Sequence, residues 1–208
     1  MTASATFLFK PNDVSRETMA RLWEFSELVQ HWTRHINLVS RSDRSLLWNR
    51  HIRDSAQLFD LVQQDWRLWL DLGSGAGFPG VVMAIMAQQS TADRRVVLVE
   101  SDSRKATFLR TVIRRFELNA VVHATRVADI PPQNADVISA RALAALPTLI
   151  GFAQPHLAAS GIGLFPKGRQ AASEIEAARR EWRFDLTAIP SRTDPDGTIL
   201  CLKGLARA

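Results

Sequence analysis

Trp69-Leu70-Asp71-Leu72-Gly73-Ser74-Gly75-Ala76-Gly77-Phe78-Pro79-Gly80 is the stretch on which the fold turns. Its first four residues form a short apolar strand. Gly73, Gly75 and Gly77 follow at alternate positions, where a backbone can take positive φ and approach a ligand closely. Residues 79–89 then read as a helix. This order puts the glycine loop at the carboxyl end of a strand, where open α/β sheets bind their ligands.

Strand and helix patterns alternate downstream of the loop. Residues 96–99 form a strand, 104–116 a helix, 121–127 and 136–139 strands, and 146–157 a helix. Residues 162–165 are again a strand and 171–182 a helix. Two last strands, 184–189 and 199–202, have no helix between them and flank the turn signal Thr193-Asp194-Pro195-Asp196-Gly197. The alternation predicts an α/β, Rossmann-like fold: a mostly parallel seven-stranded sheet with a C-terminal antiparallel hairpin at one edge. Upstream the period is helical. Met19, Leu22, Trp23, Phe25, Val29 and Trp32 recur at three- and four-residue spacing over 15–38, with Asp13 or Ser15 as cap. A second helical stretch follows Ser42-Asp43, through Leu46, Leu47, Ile52, Leu58 and Leu61. Residues 1–65 are therefore expected to be a helical extension packed on an α/β domain over 66–208, the two forming one structural unit.

The 208 residues suffice for one such domain with an appendage. No apolar run approaches the ~18–20 residues of a membrane helix, and the Phe7-Leu8-Phe9 triplet lacks the basic flank of a signal peptide. The single Cys201 excludes an internal disulfide and a cysteine metal cluster, and suits a cytoplasmic location. Net charge is +5, and of 26 cationic residues four are lysine, leaving 22 arginines. Arginine forks onto phosphate and stacks on bases, which points to a nucleic-acid partner; a genomic bias toward arginine codons gives the same composition.

Gly75, Gly77 and Gly80 make a G-x-G-x-x-G, and Glu100 lies 20 residues beyond, as in a dinucleotide fingerprint. Against that stands Asp71, an anion two residues before the first glycine, where it would repel a pyrophosphate. It would suit a cofactor carrying an ammonium and a sulfonium, S-adenosylmethionine, with Glu100 accepting from ribose hydroxyls. The bland alternative is a tight turn with a capping aspartate and a solvated glutamate.

Several stretches together resemble the RsmG (GidB) family of small-subunit ribosomal RNA methyltransferases. They are Asn37-Leu38; His51-Ile52-Arg53-Asp54-Ser55; 71–80 with its Gly77-Phe78-Pro79-Gly80 ending; Leu98-Val99-Glu100-Ser101 with Lys105 and Phe108-Leu109; Arg126; Ser139-Ala140-Arg141-Ala142; and Lys167-Gly168. Val39 and Ala140 depart from the family pattern. The resemblance spans nearly the whole chain, 23–204. It implies S-adenosylmethionine contacts at Gly73, Phe78, Val127, Ala128 and Arg141, and methyl transfer to N7 of one guanine of 16S rRNA, guanine 527 in that family. A methyltransferase of a small molecule or protein, and a non-catalytic RNA-binding module, are the alternatives.

Guanine N7 already carries a lone pair, so no general base is required and none is expected. His51 and Asp54 share a helix face, either over the cleft or tying the extension to the core. With Arg141, at the end of the fourth strand, they are candidate positioning residues. Arg126 and Lys167 are candidates for RNA contact, as is the basic helix of Arg104, Lys105, Arg110, Arg114 and Arg115. Arg34, Arg41, Arg44, Arg50 and Arg53 add charge to the extension. Without tyrosine, a base-stacking platform must be Trp, Phe, His or Arg; Phe78 and Phe165 are candidates, and most tryptophans read as core. His31 and His35 have a metal-compatible spacing without a third ligand, so no metal is expected. Cys201, Met83 and Met86 read as core, and the chain as a monomer acting without a membrane.

Overall fold

The computed structural model describes residues 14–40, 46–62, 65–90 and 93–208. The readings of Phe7-Leu8-Phe9, Asp13, Arg41, Ser42-Asp43 and Arg44 lie outside them. Chain order is α1 (Arg16–Trp32), a π-helical turn (Trp48–Arg53) running into α2 (Asp54–Leu61), β1 (Leu68–Leu72), α3 (Gly80–Ala87), β2 (Arg95–Val99), α4 (Ser103–Phe116), β3 (Ala120–His123), β4 (Ala135–Ala140), α5 (Leu146–Ala153), β5 (Leu157–Lys167), α6 (Ala171–Arg179), β6 (Trp182–Pro190) and β7 (Thr198–Arg207). The strands form one seven-stranded sheet in the order β3-β2-β1-β4-β5-β7-β6. The first five strands pair in parallel, and β7 runs antiparallel between β5 and β6.

Alternate residues of each strand face opposite sides, which divides the interior in two. Trp69, Val96, Leu98, Val137 and Leu164 face α3 and α4, and the same apolar cluster takes in Leu22, Phe25, Val29, Ile52 and Leu58 from the helical extension. Leu70, Leu72, Val97, Ile138 and Leu200 face the other way, onto Leu146, Leu149 and Ile150 of α5 and Ala178 of α6. Helices on both faces explain why residues 96–99 of β2 read as a continuous apolar run.

Several boundaries differ from the sequence reading: the helix expected over 171–182 ends at Arg179, with Trp182 opening β6, and β7 runs to Arg207, past the expected 202. The first helix stops at Trp32, where Thr33 Oγ1 donates back to the Val29 carbonyl at 2.6 Å. The helix expected over 146–157 stops at Ala153: Pro155 cannot extend it, and β5 begins at Leu157, five residues before the expected strand. The strand expected over 121–127 ends at His123, because it is an edge strand and its one partner, β2, ends opposite at Val99. The chain then enters a 3₁₀ turn, Val127–Asp129.

β1 sends its crossover to β2 on one side while β4 returns on the other. The carboxyl ends of β1 and β4 thus bound the crevice of the topological switch point.

Candidate active site

The glycine loop opens this crevice. Gly73 has φ +67°, and a Cβ built there would stand 2.7 Å from Leu143 Cδ1, in the loop after β4. A side chain at Gly80 would run into Leu98 and the Asp71 carboxylate, so α3 starts hard against β1 and β2. The loop's amides turn onto the protein. Gly75 N–H donates to Glu100 Oε2 at 2.8 Å and Gly80 N–H to Asp71 Oδ2 at 3.2 Å. Gly77 and Phe78 donate to the Ser74 carbonyl, and Val81 to that of Gly77. A pyrophosphate needs free amides at this helix start; they are engaged, which removes the dinucleotide reading on a firmer ground than charge.

Asp71 corrects the charge argument. Its side chain is wholly buried beneath the loop and does not line the crevice. Ser139 Oγ donates to its Oδ1 at 2.7 Å, and Trp69 Nε1 donates to Ser139 Oγ at 2.8 Å. Desolvation pushes its carboxyl up to about 6, against the lowering effect of Ser139, Ser74 and the Gly80 amide; the charge on Glu100 raises it further. Asp71 is a structural tie between β1, β4 and α3. The anions lining the crevice are Asp129 and Glu100, the latter at the tip of β2 and oriented by Gly75 N–H and by Asp102 N–H at 2.7 Å.

The crevice encloses about 990 Å³. Gly73 and Gly75 form its floor beside Glu100; Arg126, Val127 and Ala128 form one wall, Arg141 and Leu143 another, and Lys105 reaches its rim. The expected residues Gly73, Gly75, Glu100, Val127, Ala128, Arg126 and Arg141 are therefore brought together. Gly77 and Phe78 are not. Gly77 packs against Val81 and Phe25. Phe78 is buried, its ring centroid 5.4 Å from that of Phe25 and 5.0 Å from that of His51. It ties the loop to the helical extension. Leu143 and Thr125, also at the crevice, carried no sequence signal, since both sit in loops without a motif.

A second cleft of about 510 Å³ adjoins the first and shares Arg141, Ala142 and Leu143 with it. Arg141 Nη1 meets His51 Nδ1 at 2.9 Å, its Nη2 donates to the Arg50 carbonyl at 2.9 Å, and its Nε lies 3.7 Å from Asp54 Oδ2. Asp54 Oδ1 also accepts from Thr193 Oγ1 at 2.6 Å and Gln57 Nε2 at 2.9 Å, and Gln57 Oε1 accepts from Arg192 N–H. His51 and Asp54 fasten the extension to the end of β4 through Arg141; neither lines the first crevice, and Asp54 lines the second cleft. Gln57 and Thr193 belong to this network, joined across 136 positions that no local pattern connects.

Lys167 needs a correction. Its side chain is only 11% exposed, and Nζ donates to the Ala144 carbonyl and to Glu174 Oε2, both at 2.8 Å. Glu174 in turn accepts from Leu146 N–H at 2.7 Å. Lys167 anchors the loop after β4 and does not stand out to meet phosphate. On α4, Arg104, Arg110 and Arg114 are exposed; Arg104 pairs with Asp102 and Arg115 with Glu24. Phe78 and Phe165 are both buried and cannot be stacking platforms. Among the described residues no cluster of three or more His, Cys, Asp or Glu could hold a metal, and no helix is long and apolar enough to cross a membrane.

Comparison with solved structures places the fold in known company. The chain is similar to the O-methyltransferase of Bacillus cereus in complex with SAH (TM-score 0.59, 14% identity, 89% of this chain and 91% of that one). It is also similar to a TehB-like SAM-dependent methyltransferase of Corynebacterium glutamicum (TM-score 0.58, 16% identity, 87% and 98%). At such identities the likeness is one of fold. Sequence relatives are far nearer. A Cereibacter sphaeroides protein named Ribosomal RNA small subunit methyltransferase G is 57% identical over 194 residues, 93% of this chain and 94% of its own length. One of the same name from Ruegeria sp. is 47% identical over 195 residues, 94% and 95%. The GidB family model, described as rRNA small subunit methyltransferase G, matches residues 18–205. With a family model and relatives that both run nearly end to end, the chain belongs to the GidB family.

Proposed function

We propose that this chain transfers a methyl group from S-adenosylmethionine to N7 of one guanine in 16S rRNA of the small ribosomal subunit. The observation that carries the reading is the pair of adjoining clefts meeting at Arg141, one built for a nucleoside-bearing cofactor and one open beside it. Family membership and the names of the relatives supply the RNA.

The crevice fits the cofactor. Gly73 and Gly75, free of side chains at positive φ, would pass its amino-acid end, and Glu100 retains lone pairs for ribose hydroxyls. The Val127-Ala128 backbone would flank the adenine. When bound, S-adenosylmethionine would supply an electrophilic methyl for guanine N7, its sulfur keeping the electron pair of the C–S bond that is given up. The residues' share is positioning. Arg141 is held at the junction by His51, the Arg50 carbonyl and Asp54. No group in this arrangement must take a proton, in keeping with a nucleophile that loses none. The methylated purine is cationic; in the second cleft Asp54 and Glu174 are paired with Arg141 and Lys167, and Asp194 stands beside them, so the lining adds no net positive charge against the product.

In this reading Arg126, Arg104, Lys105 and Arg114 meet RNA phosphates. The protein works as a cytoplasmic monomer, without metal or membrane, and residues 1–65 and 66–208 act as one unit. The test is transfer of labelled methyl to small subunits lacking the modification, with deproteinised rRNA and a ribosome-free metabolite extract in parallel. Label in a single N7-methylguanine of the rRNA supports the reading. Label in the extract alone moves the activity to another acceptor, and bound cofactor with no transfer makes the chain a binding module.

A further inference from the structure

Trp23 and Leu46 are the exposed large hydrophobic residues among those described, and Trp23 is 49% exposed. Trp23 does not project loosely. Its ring lies on that of Trp48 with centroids 3.7 Å apart and planes 6° from parallel. Trp48 in turn packs against the main apolar cluster, which backs the stack from below. Half of an indole is left open in a fixed plane.

We propose that the Trp23–Trp48 stack is a platform for an unpaired base of the RNA substrate, next to the base that is methylated. The proposal rests on the rRNA reading above. Two observations favour a nucleotide as the occupant. The first is continuity with the site: Trp48 opens the turn whose next residues, Arg50 and His51, are the backbone and ring partners of Arg141 at the cleft junction. The second is charge. The same turn carries exposed Arg50 and half-buried Arg53, and the chain as a whole is +5. A π-face beside guanidinium groups is how single-stranded nucleic acid is held without base-specific hydrogen bonds. A base can be acted on only after leaving its stack, and its unstacked neighbour needs a new surface. Trp23 provides one through its stack on Trp48, which precedes His51 by three residues in the π-helical turn.

The experiment compares Trp23→Ala, Trp23→Leu and Trp23→Phe with the wild type. It measures Kd for deproteinised small-subunit rRNA, KM for that RNA and for small subunits, and calorimetric Kd for S-adenosylmethionine. Trp23→Ala and Trp23→Leu should each weaken RNA binding roughly ten-fold, whereas Trp23→Phe, which keeps a π-face, stays within about three-fold of the wild type. The cofactor Kd should not move. Leucine fills space without stacking, so it keeps the test valid should alanine loosen α1. A short adenine-rich oligoribonucleotide should also quench tryptophan emission in the wild type and less in Trp23→Phe. Leucine binding RNA like the wild type overturns the proposal. So does a loss confined to assembled subunits, which would make the patch a protein contact. If the wild type binds rRNA but methylates none, the rRNA-methyltransferase reading fails while the binding and quenching measurements still decide the platform.

Discussion

Arg141 and His51, 90 positions apart in sequence, meet at 2.9 Å where the two clefts join. A guanidinium carries only donors, so His51 Nδ1 accepts and the neutral ring keeps its proton on Nε2. The contact fixes the first cleft's wall to the helical extension. Lysine cannot reproduce a planar fork that reaches His51 and the Arg50 carbonyl at once. Arg141→Lys should therefore lower kcat/KM for rRNA by roughly 10²-fold, the scale of an ångström's misplacement. His51→Ala should act in the same direction and more weakly, through a looser Arg141. Steady-state kinetics with a parallel cofactor Kd check this; unaltered turnover in Arg141→Lys would place the residue outside the working site.

Gly73 and Leu143 make a steric pair. Alanine at 73 meets both a positive φ and the Leu143 side chain, and should weaken cofactor binding more than ten-fold, since one pKd unit is about 1.4 kcal/mol. Adding Leu143→Ala relieves the clash and leaves the φ strain. The double variant should recover part of the affinity, read as a non-additive cycle by calorimetry. Strict additivity would separate the two residues.

Asp71 ties stability to pH. Its folded carboxyl titrates at about 6 against an ordinary 3.8. The folded chain thus holds that proton more tightly than the unfolded one. Its contribution is full below the unfolded value and is lost as pH rises through 6, a change on the order of 3 kcal/mol. Asp71→Asn removes the titration, and with it one of two accepting oxygens, so it should be less stable at acid pH and flatter above it. Urea unfolding between about pH 4.5 and 7.5 checks the slopes. Equal slopes in variant and wild type would contradict the burial account.

Lys167 and Arg114 should part company in salt. Arg114 is exposed on α4, and its loss to alanine should reduce the salt slope of RNA binding by just under one unit, the signature of a phosphate contact. Lys167→Met should leave the slope in place and lower stability by roughly 1–3 kcal/mol, because the Ala144 carbonyl and Glu174 lose a buried donor. A lowered slope in Lys167→Met would return the lysine to the RNA surface.

The sheet was legible because its elements announce themselves locally. The apolar run at 96–99, the glycines after Leu72 and the turn at 193–197 each sit in one short window. What escaped was partnership across the chain. Nothing around Asp71 tells whether its carboxylate faces a ligand or the amide of Gly80; that depends on Ser139, 68 positions away. Lys167 reads as a loop lysine until α6 brings Glu174 beneath it. Phe78 reads as a cofactor contact until α1 brings Phe25 to its ring. Pro155 did carry a local signal for the end of α5, and the continuous apolar pattern from 146 onward masked it.

β7 sits inside the sheet, between β5 and β6, although it follows both in sequence. That order bears on synthesis. When β5 has left the ribosome its outer edge has no neighbour, and β6 emerges with Trp182 and Phe184 before any strand exists to pair with it. In the folded sheet the two are not neighbours. Both wait for Thr198–Arg207 to slide between them, as the last ladder to form. Until then the nascent chain carries an open edge and an aromatic strand at once, the kind of surface a chaperone binds and an aggregate recruits.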